Sequence, residues 1–235
     1  MKKILLVSGC SYTDKDYQSI YHPEIDCSWP KWPELLAEKL NMECVNLGKG
    51  GSGQEYIYNS IVDYTLNIKK ENIGLIIPAW SSASRRDYQS YKRWHNILWD
   101  TKGDMPYFIQ RSLRYFYSFQ IFCERFNLPY KQVQMISLYT EPLSELQNTN
   151  NFGINLQNDI ESAKKTLICS DYYFKGIDHK NFIGWPPIIH PGFTMRQKFE
   201  GPELSDEEKY LISKKDRHPN AEGQKLIAQT IYENL

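Results

Sequence analysis

Short apolar runs alternate along the chain with segments in which apolar residues recur every three or four positions. Residues 4–7 and 73–80 are continuous apolar runs, as is typical of strands that are buried on both faces of a parallel sheet. Residues 43–47 and 133–138 are predicted as two further strands, and residues 181–185 as a fifth.

Helical spacing marks four other segments. Their apolar residues fall on one face in each case: Trp32, Leu35, Leu36 and Leu40; Ile57, Ile61, Tyr64 and Ile68; Phe116, Phe119, Cys123 and Phe126; and Ile227, Ile231 and Leu235. Pro219 suits the first helical position of the last segment. Between residues 139 and 212 the periodicity weakens, and we expect loops plus one helix there.

This order of elements predicts an α/β fold. Strands that alternate with helices favour a parallel sheet with helices on both faces, joined by right-handed crossovers. A chain of 235 residues with 41% hydrophobic content is long enough for one substantial core, so we expect a single domain over residues 1–235. Within it, we expect insertions around 84–127 and 139–212 that can form a lid.

Composition and charge disfavour several classes of protein. The 28 basic residues balance 28 acidic ones, so no global field favours nucleic acid or an anionic membrane as partner. The five cysteines are odd in number and lack metal-site spacing, which argues against a disulfide scaffold and favours a reducing compartment. With no membrane-length apolar segment and no signal-peptide cleavage site, we expect a cytoplasmic protein. The Asn-, Lys-, Tyr- and Ile-rich residue usage is typical of an AT-rich bacterial or phage genome.

A serine follows the first predicted strand directly. Ser11 therefore lies at the carboxyl end of that strand, where open α/β sheets place their ligand sites. Such a serine can be a nucleophile if a base takes its proton and nearby N–H groups stabilise the oxyanion. The alternative is that Ser11 or Thr13 only caps a following helix.

A candidate base, His218, lies just before the last predicted helix. Asp216 is close enough in sequence to receive one imidazole N–H, which leaves the other ring nitrogen to accept the serine proton. The alternative is a helix start at which Asp216, His218 or Asn220 is only a cap.

Residues 46–53, Asn-Leu-Gly-Lys-Gly-Gly-Ser-Gly, form a glycine-rich loop after the second predicted strand. Glycines let the backbone approach a substrate and present N–H groups to developing negative charge. A phosphate-binding loop is the competing use, but the segment lacks the closing Lys-Ser/Thr of a P-loop and the dinucleotide-binding spacing. We therefore discount nucleotide binding.

The order of these three segments resembles that of the SGNH (GDSL-type) hydrolase family over nearly the whole chain. Residues 9–13, Gly-Cys-Ser-Tyr-Thr, are similar to the Gly-Asp-Ser-x-Thr block, with Cys10 in place of the acid. Residues 46–51 resemble the second block, and residues 216–223 the last and most specific one. The resemblance implies a flavodoxin-like, three-layer α/β/α sandwich with a central, mostly parallel five-stranded sheet.

The resemblance also implies a role for each site residue. Ser11 would be the nucleophile, His218 the base and Asp216 the residue that orients His218. The main-chain N–H groups of Ser11 and Gly51 would be oxyanion donors. Ser81 is expected as a further donor.

Two features depart from the family's pattern. The third block, usually Gly-x-Asn-Asp, is Ala-Trp-Ser-Ser at residues 79–82, so its asparagine donor is replaced, and Ser81 is the expected substitute. Losing one such donor costs on the order of a hundredfold in rate. The spacing from Asp216 to His218 is two positions, where three is more usual, so a backbone carbonyl is an alternative partner for the ring.

Weaker signals follow the third predicted strand. Arg85 is close enough to face the site and hold an anionic or hydroxyl-rich substrate, and the alternative is a solvated basic turn. Trp80 is a second candidate substrate contact, because aromatic faces suit sugar rings, and its alternative is core packing. The other histidines lack ligand spacing, so we expect no metal: His22, His95, His179 and His190.

Together these observations predict a serine esterase that hydrolyses a small or carbohydrate-linked acyl ester, with acetyl as the leading choice, through an acyl-enzyme on Ser11. The expected partner is the ester itself, and no cofactor, nucleic acid or membrane is implied. One alternative is a non-catalytic carbohydrate-binding or interaction module with a degraded site. Another is an O-acyltransferase, in which an alcohol resolves the acyl-enzyme.

Overall fold

The computed structural model describes residues 2–98, 100, 102–138, 156–200 and 207–235. Its strands, in chain order, are β1 (Ile4–Gly9), β2 (Glu43–Asn46), β3 (Ile73–Trp80), β4 (Arg86–Ser90), β5 (Arg93–Ile97), β6 (Gln132–Gln134) and β7 (Phe182–Ile183). Five of them form one sheet in the order β2-β1-β3-β6-β7, and every neighbouring pair is parallel. The predicted five-stranded parallel sheet is confirmed, although β6 and β7 are shorter than residues 133–138 and 181–185.

The helices, in chain order, are α1 (Trp32–Lys39), α2 (Gln54–Leu66), α3 (Met105–Arg125), α4 (Leu156–Cys169), α5 (Asp171–Gly176), α6 (Gln197–Glu200), α7 (Glu207–Tyr210) and α8 (Ala221–Tyr232). Short 3-10 turns lie at Lys70–Asn72 and His179–Asn181. The prediction of one helix between residues 139 and 212 is wrong, because α4, α5, α6 and α7 all lie there. Within an Asn/Gln-rich stretch at 147–158, residues 147–155 lie outside the described residues.

The sheet lies between two layers of helices because successive residues of a strand face opposite sides. In β1, Leu5 packs in a buried cluster with Trp32 of α1 and Ile231 of α8. The next residue, Leu6, packs in a second cluster with Ile57 of α2 and with residues of α3 and α4. The predicted three-layer α/β/α sandwich is confirmed.

The carboxyl ends of β1, β2 and β3 lie at the same edge of the sheet and lead into three loops, which begin at Cys10, Leu47 and Ser81. Ligand sites of parallel sheets lie at this edge. Beyond the third loop, β4 and β5 form a separate antiparallel hairpin.

The last helix, α8, begins at Ala221 and not at Pro219. Asn220 is its N-cap, and the side chain of Asn220 accepts hydrogen bonds from the N–H groups of Glu222 and Gly223. Pro219 instead pairs with Leu211 in an isolated antiparallel bridge. The predicted position of Pro219 inside the helix is therefore wrong.

Among the described residues, no helix combines the length and the apolar character that crossing a membrane requires. The segment 84–127 holds the β4–β5 hairpin and α3, and the segment 139–212 holds the four helices named above and β7. A single domain, with these two segments as a lid, stays a prediction.

Candidate active site

Two residues from opposite ends of the chain meet at the carboxyl edge of the sheet. Nε2 of His218 lies 2.8 Å from Oγ of Ser11, across a separation of 207 positions. Ser11 sits in a turn that follows β1, in which the N–H of Thr13 donates to the carbonyl of Cys10 at 2.8 Å. All of residues 10–31 are described and no helix begins among them, so neither Ser11 nor Thr13 is a helix cap.

Asp216 holds the opposite side of the imidazole ring. Its Oδ1 lies 2.6 Å from Nδ1 of His218 and also accepts the main-chain N–H of His218 at 3.2 Å. One oxygen therefore reaches two N–H groups of the same residue, which explains how a spacing of two positions is sufficient. Because Nδ1 donates to Asp216, Nε2 is left to accept the proton of Ser11.

Two hydroxyls complete the hydrogen bonding of the Asp216 carboxylate. Tyr17 Oη donates to it, at 2.9 Å from Oδ2 and 3.1 Å from Oδ1, and Ser19 Oγ donates to Oδ2. Burial alone would raise the pKa of Asp216, but the hydrogen bonds from His218, Ser19 and Tyr17 outweigh it and hold the pKa well below its ordinary value. The carboxylate is therefore charged at neutral pH although its residue is only 1% exposed.

Two tyrosine rings enclose the imidazole of His218. The ring of Tyr17 is stacked on it, with centroids 4.2 Å apart and an interplanar angle of 26°. Tyr12 meets it edge-on at 5.2 Å and 66°, and Oη of Tyr12 donates to the carbonyl of Arg217 at 2.7 Å. These contacts restrict rotation of the base, because two aromatic rings pack against the imidazole and the neighbouring backbone is held.

A short hydrogen-bonded loop positions Asp216 and His218. Oγ of Ser213 accepts the N–H of Asp216 at 2.9 Å, and the N–H of Ser213 donates to the carbonyl of Asp216 at 3.0 Å. The N–H of Ile212 donates to the carbonyl of His218 at 2.9 Å. The capping alternative for this segment is confirmed for Asn220 alone, while Asp216 and His218 form the contacts described above.

The glycine-rich loop packs against the turn that carries Ser11. The N–H of Gly50 donates to Oδ2 of Asp14 at 2.8 Å. A Cβ on Gly48 would lie 2.7 Å from the main chain of Thr13, which is too close for any side chain. Gly51 follows with a φ of +76°, in the left-handed region that favours glycine.

The Ser11 hydroxyl, the His218 imidazole and the Asp216 carboxylate are arranged for proton transfer. A serine that donates to an imidazole, which in turn donates to a buried carboxylate, can lose its proton as it attacks an electrophile. Within the described ranges, no group of three or more His, Cys, Asp and Glu residues is placed to hold a metal ion.

No family model matches the sequence, and no curated protein matches it. Solved structures do match over nearly its whole length. A candidate SGNH hydrolase from Slackia heliotrinireducens is 13% identical, with a TM-score of 0.53, over 100% of this chain and 99% of that one. A member of the lipolytic protein G-D-S-L family from Veillonella parvula is 14% identical, with a TM-score of 0.51, over 98% and 97%.

The chain has the SGNH hydrolase fold. A third structure with this fold is the psychrotrophic esterase EstA from Pseudoalteromonas sp., 9% identical, with a TM-score of 0.51, over 99% of this chain and 96% of that one. At these identities the likeness shows the fold alone.

Ser81, the expected substitute for the third-block asparagine, follows β3 directly. Its side chain is fully buried, and its Oγ donates to the carbonyl of Ser52 at 2.6 Å. The carbonyl of Ser81 accepts from the side-chain amides of Gln54 at 3.0 Å and Gln134 at 3.1 Å. Donation by Ser81 to an oxyanion would require the bond to Ser52 to break, and that role stays a prediction.

The two candidate substrate contacts have different positions in the SGNH hydrolase fold. Trp80 is fully buried, its Nε1 donates to Gln132 at 2.9 Å, and its ring packs on Phe116 at 5.0 Å. This placement corrects the expectation for Trp80, because a side chain inside the core cannot contact a substrate. Arg85 is only 7% exposed and donates to the carbonyl of Ser52 at 3.1 Å, so it is not a solvated turn residue. A substrate contact by Arg85 stays a prediction.

Sequence reasoning missed polar residues that hold the site together. Tyr17 and Ser19 bind Asp216, and Asp14 binds the glycine-rich loop. Nδ2 of Asn46 donates to the carbonyl of Thr13 at 2.8 Å, which ties β2 to the Ser11 turn. Only Asn46 lies in a recognised segment, because single residues in irregular loops leave no periodic signal.

Proposed function

We propose that the protein is a serine hydrolase that cleaves a small ester through an acyl-enzyme on Ser11. The observation that carries the proposal is the 2.8 Å contact between Ser11 Oγ and His218 Nε2, with Asp216 at 2.6 Å from Nδ1. A hydroxyl, an imidazole and a buried carboxylate in this order form a catalytic triad. The fold shared with the esterase EstA supports the same class of reaction.

The proposed reaction has two halves. Oγ of Ser11 attacks the acyl carbon while Nε2 of His218 takes the hydroxyl proton, and Asp216 stabilises the imidazolium. The tetrahedral intermediate then expels the alcohol, which leaves with the proton from His218 while the acyl group stays on Ser11. Water repeats the sequence and releases the carboxylic acid and free Ser11.

The main-chain N–H groups of Ser11 and Gly51 are the proposed oxyanion donors. Both lie on loops at the carboxyl edge of the sheet, and the loop of Gly51 is tied to the Ser11 turn through Asp14. Ser81 would join them only after releasing the carbonyl of Ser52. Since one donor elsewhere is worth on the order of a hundredfold in rate, we expect slower turnover than from a three-donor site.

We propose acyl esters of small alcohols or carbohydrates, acetyl esters first, as the substrate class. The chemistry of the triad needs no cofactor. The intact contact between Ser11 and His218 argues against a degraded, non-catalytic module. Transfer of the acyl group to a sugar hydroxyl would share the first half-reaction, and product analysis with and without an added sugar acceptor separates transfer from hydrolysis.

The test compares wild type with Ser11→Ala and His218→Ala on a short-chain nitrophenyl ester. We expect each variant to lose at least about a thousandfold in kcat, because triad members act as a unit. A serine-directed phosphonate should label wild type on Ser11. Ser118→Ala, at an exposed position on α3, is the control and should retain wild-type turnover. Equal turnover by wild type and Ser11→Ala, with no adduct on Ser11, would overturn the proposal.

A further inference from the structure

The β4–β5 hairpin lies outside the central sheet and contacts the glycine-rich loop. Its turn residues, Tyr91 and Lys92, have positive φ values of 49° and 61°, as in a tight two-residue hairpin. Most of the hairpin is exposed, but Asp87 is only 3% exposed. A carboxylate is buried only where it has strong partners.

The partners of Asp87 are the N–H groups that start α2. Gly53 N donates to Oδ1 at 2.9 Å and to Oδ2 at 3.0 Å, and Tyr56 N donates to Oδ2 at 2.9 Å. Gly53 is the N-cap of α2 and has no side chain of its own with which to cap. A Cβ on Gly53 would lie 2.9 Å from Oδ2, so the carboxylate occupies the place that a capping side chain would need.

Asn96 lies directly opposite Asp87 in the register of the hairpin. Its Nδ2 donates to the carbonyl of Gly50 at 3.0 Å. Its amide is also the nearest neighbour of Gly51, where a Cβ would lie 2.7 Å from Nδ2. One cross-strand pair of side chains thus holds the glycine-rich loop on both sides of Gly51.

The glycine-rich loop is also held at Ser52, by residues that follow β3. The carbonyl of Ser52 accepts from Oγ of Ser81 at 2.6 Å and from Nη1 of Arg85 at 3.1 Å. Ser81, the expected substitute for the third-block asparagine, therefore anchors the glycine-rich loop next to Gly51.

We propose that the β4–β5 hairpin positions the glycine-rich loop, with Asp87 and Asn96 as the positioning residues that fix the N–H of Gly51. The inference rests on the proposed function, because it takes Gly51 as an oxyanion donor. Neither side chain touches the reacting atoms, and both act through the loop backbone. An oxyanion hole that consists of main-chain N–H donors requires a rigidly held loop. A misplaced donor no longer stabilises the transition state.

The experiment compares Asn96→Ala and Asp87→Asn with two matched controls. Asn67→Ala also removes a side-chain amide that donates to a main-chain carbonyl, at the far end of α2. Asp104→Asn also changes a carboxylate that caps a helix, at the start of α3. Both controls leave the glycine-rich loop untouched.

In the hairpin variants we expect kcat to fall about tenfold or more, with KM changed by less than about threefold, since the loss is specific to the transition state. The rate of phosphonate labelling of Ser11 should fall in parallel, because formation of the phosphonate adduct also places an oxygen in the oxyanion hole. The controls should retain kcat within about twofold and lose only stability.

Folding of the variants is checked by thermal unfolding. Burial raises the pKa of Asp87, so replacing the charge with an amide relieves part of the cost of burial, and Asp87→Asn is expected to fold. Asn96→Ala changes a half-buried residue and provides a second folded variant.

Two results overturn the inference and are distinguishable. If wild type and both controls show turnover that depends on Ser11, and both hairpin variants keep wild-type kcat and labelling rates, the hairpin does not position the loop. If wild type itself shows no turnover that depends on Ser11, the proposed function fails, and this inference fails with it.

Discussion

The phenol ring of Tyr17 is stacked on the imidazole of His218, with centroids 4.2 Å apart, and its hydroxyl lies 2.8 Å from Nδ1 of that ring. The same hydroxyl donates to Asp216. One side chain therefore restrains the plane of the base and also binds the carboxylate that orients it. These two effects can be separated by substitution.

Tyr17→Phe keeps the stacked ring and removes the hydroxyl. We expect the free energy of unfolding to fall by about 1–3 kcal/mol, the usual range for a hydrogen bond to a charged group, and kcat/KM to fall severalfold. Tyr17→Leu removes the ring as well and should lower kcat/KM further. Urea unfolding and ester turnover measure both effects, and identical rates for Phe and Leu at position 17 would show that stacking contributes nothing.

Asp216 makes the free energy of unfolding depend on pH in the acid range. Its pKa in the folded protein lies below the ordinary value of about 4, so its charged form stabilises the fold above about pH 4, and this contribution is lost as the pH falls further. The difference in unfolding free energy between wild type and Asp216→Ala should be widest at pH 7 and should shrink below about pH 4.

Urea unfolding at pH 7 and at lower pH values measures this difference. Asp171→Ala, which removes an exposed carboxylate on α5, should change stability little at pH 7 and serves as the control. A difference for Asp216→Ala that stays constant across this range would contradict the assigned hydrogen bonds.

Gly51→Ala tests the geometry of the glycine-rich loop at the proposed oxyanion donor. The new side chain would sit at a φ of +76° and 2.7 Å from Nδ2 of Asn96, so we expect a cost of about 1–2 kcal/mol in stability together with a marked fall in kcat. Gly50→Ala is the matched control, since a Cβ on Gly50 would lie an ordinary 3.5 Å from Oδ2 of Asp14. Equal kcat values for the two variants would speak against a special role for Gly51.

Asn220→Ala separates helix capping from catalysis. Losing the cap of α8 should lower the free energy of unfolding by about 1 kcal/mol. Turnover should fall far less than in His218→Ala, because the side chain of Asn220 binds N–H groups of the helix start and the carbonyls of residues 209 and 211. A loss of kcat as large as that of His218→Ala would place Asn220 in the catalytic machinery.

The parts of the fold that follow from periodic burial could be predicted. Residues 4–7 of β1 and residues 73–80 of β3 are apolar because helices cover both faces of the sheet. The pairing of Ser11 with His218 was predicted from motif segments that occur in the order of a known family. Trp80 could not be placed, because an aromatic residue at the end of a strand suits a core and a sugar site equally well.

Other site residues were missed for a physical reason. Tyr17 reaches Asp216 across 199 positions, and Asp87 reaches Gly53 across 34, through hydrogen bonds from irregular or exposed segments. Such contacts depend on where the backbone arrives in space and leave no spacing pattern in the chain. Ser81 lies in the loop that follows β3, and the partner of its hydroxyl, the carbonyl of Ser52, is apparent only from the fold.

The contacts between the Ser11 turn and the His218 loop also bear on how the protein folds. Ser11 to His218 and Tyr12 to Arg217 are separated by 207 and 205 positions, so the entropy of closing almost the whole chain must be overcome before these contacts form. Local helices can form earlier, before Ser11 has reached His218 and become a reactive nucleophile. During refolding, reactivity of Ser11 toward a phosphonate would therefore report the completion of long-range topology, later than the recovery of helical signal.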